Sequence, residues 1–267
     1  MLFWVMKMIA NNGFLMFQPD EAESFLTGHM PKRKIRLVQL HHTWSPEYKH
    51  FDGRNHFTRQ AAMRQSHLAR GFADIAQHFT VFPDGLIVTG RSLEQDPAGI
   101  VGANKGAVCI ENFGNFDAGW DIMTTEQSES IETLTAALCK VFELNPETAI
   151  TYHAWWTANG RSLGDYHPSK SAKTCPGTAF FGGNTRDAFA KNLLPRIKDT
   201  MQVLHKIKEE PELRYKYYDD MPDWAKPTIA KLVRKGLLLG DGNGAHNLSE
   251  DALKIFVVND RAGLYGE

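Results

Sequence analysis

An α/β domain built on one central mixed β-sheet flanked by helices, with a small helical module after it, is the fold class this sequence predicts. Three observations lead there. Short apolar runs alternate with helical periods over about the first 200 residues. The charged stretch Lys206-Ile-Lys-Glu-Glu-Pro211 then marks a shift in composition. Two further helical periods come after it, on either side of a glycine-rich segment. Of the 267 residues, 42% are hydrophobic, 23% charged and 11% aromatic, which excludes disorder, collagen and coiled coil as whole-chain descriptions. With 30 basic and 31 acidic residues the net charge is -1, so the chain has no global pull toward nucleic acid or acidic lipid. No run reaches the 18 or so apolar residues of a membrane span. The three cysteines, Cys109, Cys139 and Cys175, cannot form a disulfide framework.

The elements read in order. The apolar start, residues 1–10, lacks a basic flank and a small-residue cleavage site. It reads as an extension running to residue 34, not as a secretory signal. Pro19 to Leu26 suits a short amphipathic helix, followed by the basic connector Lys32-Arg33-Lys34. Ile35 to Leu40 is a strand that stops at His41-His42-Thr43, and Pro46 breaks the segment after it. A helix fits Phe57 to Arg70, closed by Gly71. His78–Phe82 and Leu86–Thr89 flank Pro83-Asp84-Gly85 as a hairpin. Ala107 to Glu111 is a buried strand. Thr124 to Phe142 is the longest helix, with Thr124 or Thr125 as its cap and Ile131, Leu134, Leu138 and Val141 on one face. Ala149 to Tyr152 is a strand ending at His153, and a polar stretch leads on to Cys175-Pro176-Gly177. A closing helix covers 185–208, bent at Pro195. The domain therefore spans 35–200, the linker 201–212 and the module 213–267.

Histidines carry the chemical information. His41 and His153 each follow a strand, and Cys175 sits in a Lys-Thr-Cys-Pro-Gly turn. Strand ends are rigid, so the three could meet at one rim of the sheet. Two imidazoles and a thiolate are a tetrahedral zinc set that keeps a fourth position for water. The competing reading is that these are ordinary hydrogen-bonded histidines.

Six motifs occur in register: His41-His-Thr43, Asp74-Ile-Ala-Gln-His-Phe79, Pro83-Asp-Gly85, Gly90-Arg91, Glu111-Asn-Phe-Gly-Asn-Phe-Asp117 and Lys173-Thr-Cys-Pro-Gly177. Over residues 35 to 198 or so the chain resembles the zinc-dependent N-acetylmuramoyl-L-alanine amidases of the peptidoglycan recognition protein and phage-lysozyme type. That resemblance implies a central mixed sheet, Zn2+, and cleavage of the amide between N-acetylmuramic acid and L-alanine in peptidoglycan. Residue by residue it implies His41 and Cys175 as ligands, with His42 a packed neighbour. The second histidine is His153, 22 residues before Cys175, with His167, 8 residues before it, as the alternative. A family tyrosine position holds Gln77 here, which cannot move protons but can donate a hydrogen bond to substrate. Glu111 matches the strand glutamate that does acid–base work in one branch; its alternative is a buried ion pair with Arg91. Lys173 matches a lysine that stabilises an oxyanion, against the reading of a solvated loop lysine. Trp44, Trp155 and Trp156 are aromatic platforms for sugar or core residues, with Trp44 and Trp155 taken as substrate contacts. Asp74 fixes a turn, Asn115 and Asp117 make turns, and Cys109 and Cys139 are small buried thiols.

In the module, Asp241-Gly-Asn243-Gly looks like the start of a calcium loop, but Ala245 and Ala252 stand where ligands are needed, so that reading is rejected. Met221-Pro-Asp-Trp-Ala225, Gly236-Leu237 and Gly240-Asp-Gly242 resemble a surface-layer-homology repeat, implying a cell-wall polymer as partner. A helical dimerisation hairpin, and hence an oligomer, is the alternative. The whole reads as a phage endolysin or an autolysin, made in the cytoplasm, released by a holin-type pore and acting at the bacterial wall. The rival is a non-catalytic peptidoglycan-binding protein.

Overall fold

Asn12 and Gly13, both at positive φ, fold the chain back so that β1 (Ile9–Asn11) pairs antiparallel with β2 (Phe14–Phe17). This computed structural model describes residues 8–209, 213–242 and 244–266. The apolar start 1–7, the centre of the linker (210–212) and Asn243 of the rejected calcium loop lie outside the described residues. Helix α1 (Ala22–Gly28) follows a single 3-10 turn and buries Phe25 and Leu26. The segment read as an extension is therefore part of the domain's sheet, because β2 pairs with a strand of the predicted hairpin.

Strand β3 (Leu37–His42) lies inside the sheet, one strand from its edge. Helix α2 (His56–Ala69) precedes the hairpin of β4 (Phe79–Val81) and β5 (Ile87–Thr89), as the Pro-Asp-Gly turn predicts. Strand β6 (Ala107–Asn112) leads to α3 (Thr125–Val141), whose Thr124 hydroxyl caps the Gln127 amide. The short α4 (Pro146–Ala149) takes the first residue read as strand, and β7 (Ile150–Tyr152) the rest. The closing helix is interrupted: α5 (Arg186–Ala188), one π-helical turn at Phe189–Leu193, then α6 (Leu194–Glu209).

The seven strands run in the order β1-β2-β5-β4-β6-β3-β7. β1, β2, β5 and β4 pair antiparallel; β4, β6, β3 and β7 pair parallel, which makes the sheet mixed. Strand periodicity separates its faces. Val38, Leu40, Val108, Ile110, Phe79 and Val81 share one apolar cluster with Ile131, Leu134 and Leu138 of α3. On the other face, Val88 packs with Met63 of α2, Phe82 and Phe113. Among the described residues, 8–205 form one compact unit and 206–266 a second. In the second, β8 (Arg214–Tyr217) pairs antiparallel with β9 (Ala245–Ser249), a ribbon that sequence periodicity did not reveal. Its helices α7 (Lys226–Arg234) and α8 (Glu250–Arg261) close over Ile229, Leu232, Leu253 and Val257. No helix among the described residues is long and apolar enough to cross a membrane.

His78 ties β4 to β6. Its Nδ1 accepts the Cys109 N–H at 3.0 Å, so Nε2 carries the proton and donates to the Gln95 carbonyl at 2.9 Å. Burial pulls this ring down to about 3. The unfolded ring titrates near 6.5, so below that pH the unfolded chain binds the extra proton. The stability contributed by neutral His78 is present above 6.5 and is lost as pH falls toward 3. We expect the urea midpoint of chelator-treated protein to drop between pH 7 and pH 5, with about 2 kcal/mol of the loss due to His78. The variant His78→Gln should flatten that part of the profile, and an unchanged slope would refute the assignment.

Candidate metal centre

The three parallel strands β6, β3 and β7 end side by side, and their carboxyl ends carry the site. His41 lies opposite Glu111 in the register, and Leu40 opposite Tyr152, so His153 emerges beside His41. In an open α/β sheet this edge is where ligand crevices form. His41, His153 and Cys175 offer ligand atoms that all lie within 4.8 Å of one another. His41 Nδ1 is 3.4 Å from Cys175 Sγ, and the two imidazoles stand 5.1 Å apart at 74°. Bonds of about 2.0–2.3 Å around a tetrahedral zinc put donor atoms roughly 3.3–3.8 Å apart, a range that holds the 3.4 Å His41–Cys175 separation, and the chemistry of two imidazoles and a thiol suits that ion. Burial and the neighbouring His153 and Lys173 charges hold His41 well below the usual imidazole range. Burial and Lys173 take His153 to about 4. Both rings are thus neutral, as a ligand must be. Burial pushes the Cys175 thiol up, a state that a bound cation reverses.

The loop that carries Cys175 is pinned by Asp117, which accepts from Thr174 Oγ1 and from the Thr178 amide, each at 3.0 Å. Gly177 sits so close to the Phe116 backbone that a Cβ would lie 2.4 Å from it. The Cys175 carbonyl accepts the Ala154 amide at 2.7 Å, linking this turn to the β7 end. Asp117 therefore does more than shape its own turn, a role its position in the sequence did not disclose.

His42 points the other way along the strand, accepting the Phe116 amide on Nδ1 at 3.1 Å. His167 is exposed; its amide donates to Ser171 Oγ at 2.8 Å and its ring contacts Ser169, away from the cluster. Of the two histidines weighed, the structure brings His153 to Cys175.

A cleft of about 980 Å³ opens over these residues, with α2 as one wall and Trp44, Val101 and Lys173 on its border. Glu111 lines it, and burial takes its carboxyl up to about 8 against the pull of Lys173 and Arg70. One carboxylate oxygen, Oε2, is sealed from solvent without a hydrogen-bond partner. The ion pair with Arg91 does not form: that guanidinium donates to the carbonyls of Ile75, Asp96 and Asp74 instead. Lys173 is exposed at the cleft, and its charge reaches Glu111 and all three cluster residues.

Gln77 lies in the cleft floor, and a one-way chain fixes its amide. Gln60 Nε2 donates to the Thr89 carbonyl, Thr80 Oγ1 donates to Gln60 Oε1, and Gln77 Nε2 donates to Thr80. A carbonyl only accepts, so every amide in the chain has a determined orientation. Gln77 Oε1 is left unpartnered. The group expected to donate to a ligand is thus used internally, and the residue is 0% exposed with Oε1 sealed from solvent, which corrects its reading as a substrate contact.

Trp44 is 61% exposed at the cleft rim, with a left-handed backbone at φ 57°. Trp155 corrects the sequence reading. It is 1% exposed, stacks on Tyr152, lies under the Arg186 guanidinium at 4.1 Å and donates to the Asn184 carbonyl. A ring sealed in the core cannot meet a sugar. Trp156 also packs against that core and donates to Thr151.

Residues 31–178, more than half of the chain, match the family described as N-acetylmuramoyl-L-alanine amidase. Solved structures similar to the chain include Drosophila peptidoglycan recognition protein SA, 20% identical with a TM-score of 0.47, covering 62% of this chain and 83% of that one. Drosophila PGRP-LB is 20% identical with a TM-score of 0.46, covering 60% and 82%. The endolysin N-acetylmuramoyl-L-alanine amidase LysCS from Clostridium intestinale is 24% identical with a TM-score of 0.41, covering 60% and 84%. None of the curated proteins compared with the chain matches it.

Proposed function

The chain belongs to the N-acetylmuramoyl-L-alanine amidase family, and from that premise we propose that it is a zinc hydrolase cutting the amide between N-acetylmuramic acid and L-alanine of the peptidoglycan stem peptide. The observation that carries the reading is the meeting of two neutral imidazoles and one thiol within 4.8 Å at the floor of a cleft that also holds Glu111. His41, His153 and Cys175 would hold the ion. When bound, zinc polarises the scissile carbonyl and acidifies water.

Everything else falls to side chains of this protein. Glu111, with a carboxyl near 8, gains and loses a proton readily around neutral pH. It takes one from the attacking water and returns one to the departing L-alanine nitrogen, which leaves as a neutral amine. Lys173 brings positive charge to the carbonyl oxygen as that oxygen becomes negative. Trp44 offers an exposed indole to a sugar face. The 206–266 unit would direct the enzyme to a wall polymer, a role supported by the Met221–Ala225 and Gly240–Gly242 resemblance. Together these give an endolysin or autolysin, of phage or bacterial descent.

The test is digestion of purified cell walls by zinc-loaded protein. Falling turbidity with new L-alanine amino groups, and no new reducing sugar, supports the proposal. Wall binding without new amines rejects it in favour of a non-catalytic peptidoglycan-binding protein.

A further inference from the structure

Gln39 is a polar residue inside an apolar strand, on the same face as His41 because side chains repeat every two residues. It is fully buried. Buried amides are retained where their hydrogen bonds are made, so its partners show what it does.

Those partners fix its orientation without ambiguity. Asn104 Oδ1 accepts the amides of Gly99 at 3.0 Å and Ile100 at 2.9 Å, so that atom is an oxygen. Gln39 Nε2 lies 2.9 Å from the Ala103 carbonyl and 3.4 Å from Asn104 Oδ1, both acceptors, so that atom is the nitrogen. Its other atom, Oε1, can only accept, and it stands 3.3 Å from His41 Nε2. The proton of a neutral His41 therefore belongs on Nε2, and the lone pair on Nδ1 faces Cys175 Sγ. Gly99 closes the arrangement. A Cβ there would lie 2.3 Å from Gln39 Oε1 and 2.9 Å from His41 Nε2, so only a glycine lets the loop seal this contact.

We propose that Gln39 is a positioning residue that sets the tautomer and ring orientation of His41, with the 99–104 loop as its anchor. This rests on the reading of His41 as a zinc ligand. A metal-binding imidazole usually donates its second N–H to an outer partner, and losing that partner typically costs about 10–100-fold in affinity. Here the partner is an amide in the ligand's own strand, held by loop backbone.

The test begins with the metal-free protein at neutral pH, using nitrogen-labelled histidine and long-range proton–nitrogen NMR. Wild type should show His41 protonated on Nε2; protonation on Nδ1 overturns the proposal. Gln39→Met should mix the tautomers and weaken zinc binding, measured by chelator competition, by about 10–100-fold. Unchanged tautomer and affinity in that variant also overturn it. Gly99→Ala, which keeps Gln39 but pushes its oxygen away, should reproduce the mixture and covers the case in which Gln39→Met fails to fold. Should wild type show the Nε2 tautomer yet bind no zinc, the positioning role stands and the hydrolase reading fails.

Discussion

Cys175→Ser is expected to abolish zinc retention and wall hydrolysis together while leaving the fold in place. Serine keeps a small side chain in the turn and an acceptor for the His42 amide that Cys175 Sγ takes at 3.4 Å, and the other contacts that hold the loop come from Asp117, Asn184 and backbone. What disappears is a thiolate ligand, and a neutral hydroxyl is a poor replacement for it. The fall in affinity should exceed the roughly 10–100-fold typical of an outer hydrogen-bond partner. His153→Ala should behave alike. His167→Ala should keep both metal and activity, because that ring sits in an exposed loop among serines. Metal content after dialysis and release of L-alanine amines are the measurements. Zinc retained in His153→Ala and lost in His167→Ala would reverse the ligand assignment.

Glu111→Gln should separate metal from chemistry. Glutamine matches the protonated acid in shape and leaves the cluster donors untouched, so zinc content should remain at the wild-type level. Amine release should fall by about 10²–10⁴-fold, the usual contribution of a positioned acid–base group. Stability should move the other way. The native carboxyl, taken to about 8, keeps a proton that the unfolded one gives up near 4.5. The contribution of Glu111 to the stability of the metal-free protein is then fully present below about 4.5 and is lost as pH rises through 8. The variant removes that slope, and with its partial exposure allowed for should gain about 1–3 kcal/mol at pH 7. Equal activity in the variant, or a matching loss of zinc, would remove Glu111 from the proton-moving role.

Much of the site was legible because its residues stand where the chain changes character. His41 and His153 each close an apolar run, and Cys175 lies in a turn between Thr174 and Pro176. Glu111 was legible as a carboxylate ending a strand of valine, cysteine and isoleucine. Gln39 escaped notice although its signal was present: a lone amide among Leu37, Val38 and Leu40, two residues before a histidine. Trp155 was misplaced because nearness along the chain was taken for nearness in space. The 3-10 turn His153–Trp155 carries its ring round to the core beneath Arg186. The first hairpin was missed for a different reason. Asn12-Gly13 is a strong turn signal, but β2 finds its inner partner in β5, some seventy residues on, a distance that local patterning does not register. The β8–β9 ribbon was hidden because Arg-Tyr-Lys-Tyr, although it alternates charged and aromatic residues, is only four residues long and its partner Ala-His-Asn-Leu-Ser carries no such pattern.

The division of the sheet into two faces has an effect on how such a protein can change over time. Val38 and Leu40 look toward α3, while Gln39 and His41 look toward the cleft; Val108 and Ile110 stand in the same relation to Cys109 and Glu111. Neighbours in the sequence thus answer to different demands, one to packing and the next to the cleft. Heat resistance can be gained by repacking even-numbered positions of these two strands while the cleft residues stay fixed, so robustness and cleft chemistry vary along separate lines. The same interleaving makes a one-residue insertion in β3 or β6 doubly harmful, because it would exchange the two sets at once.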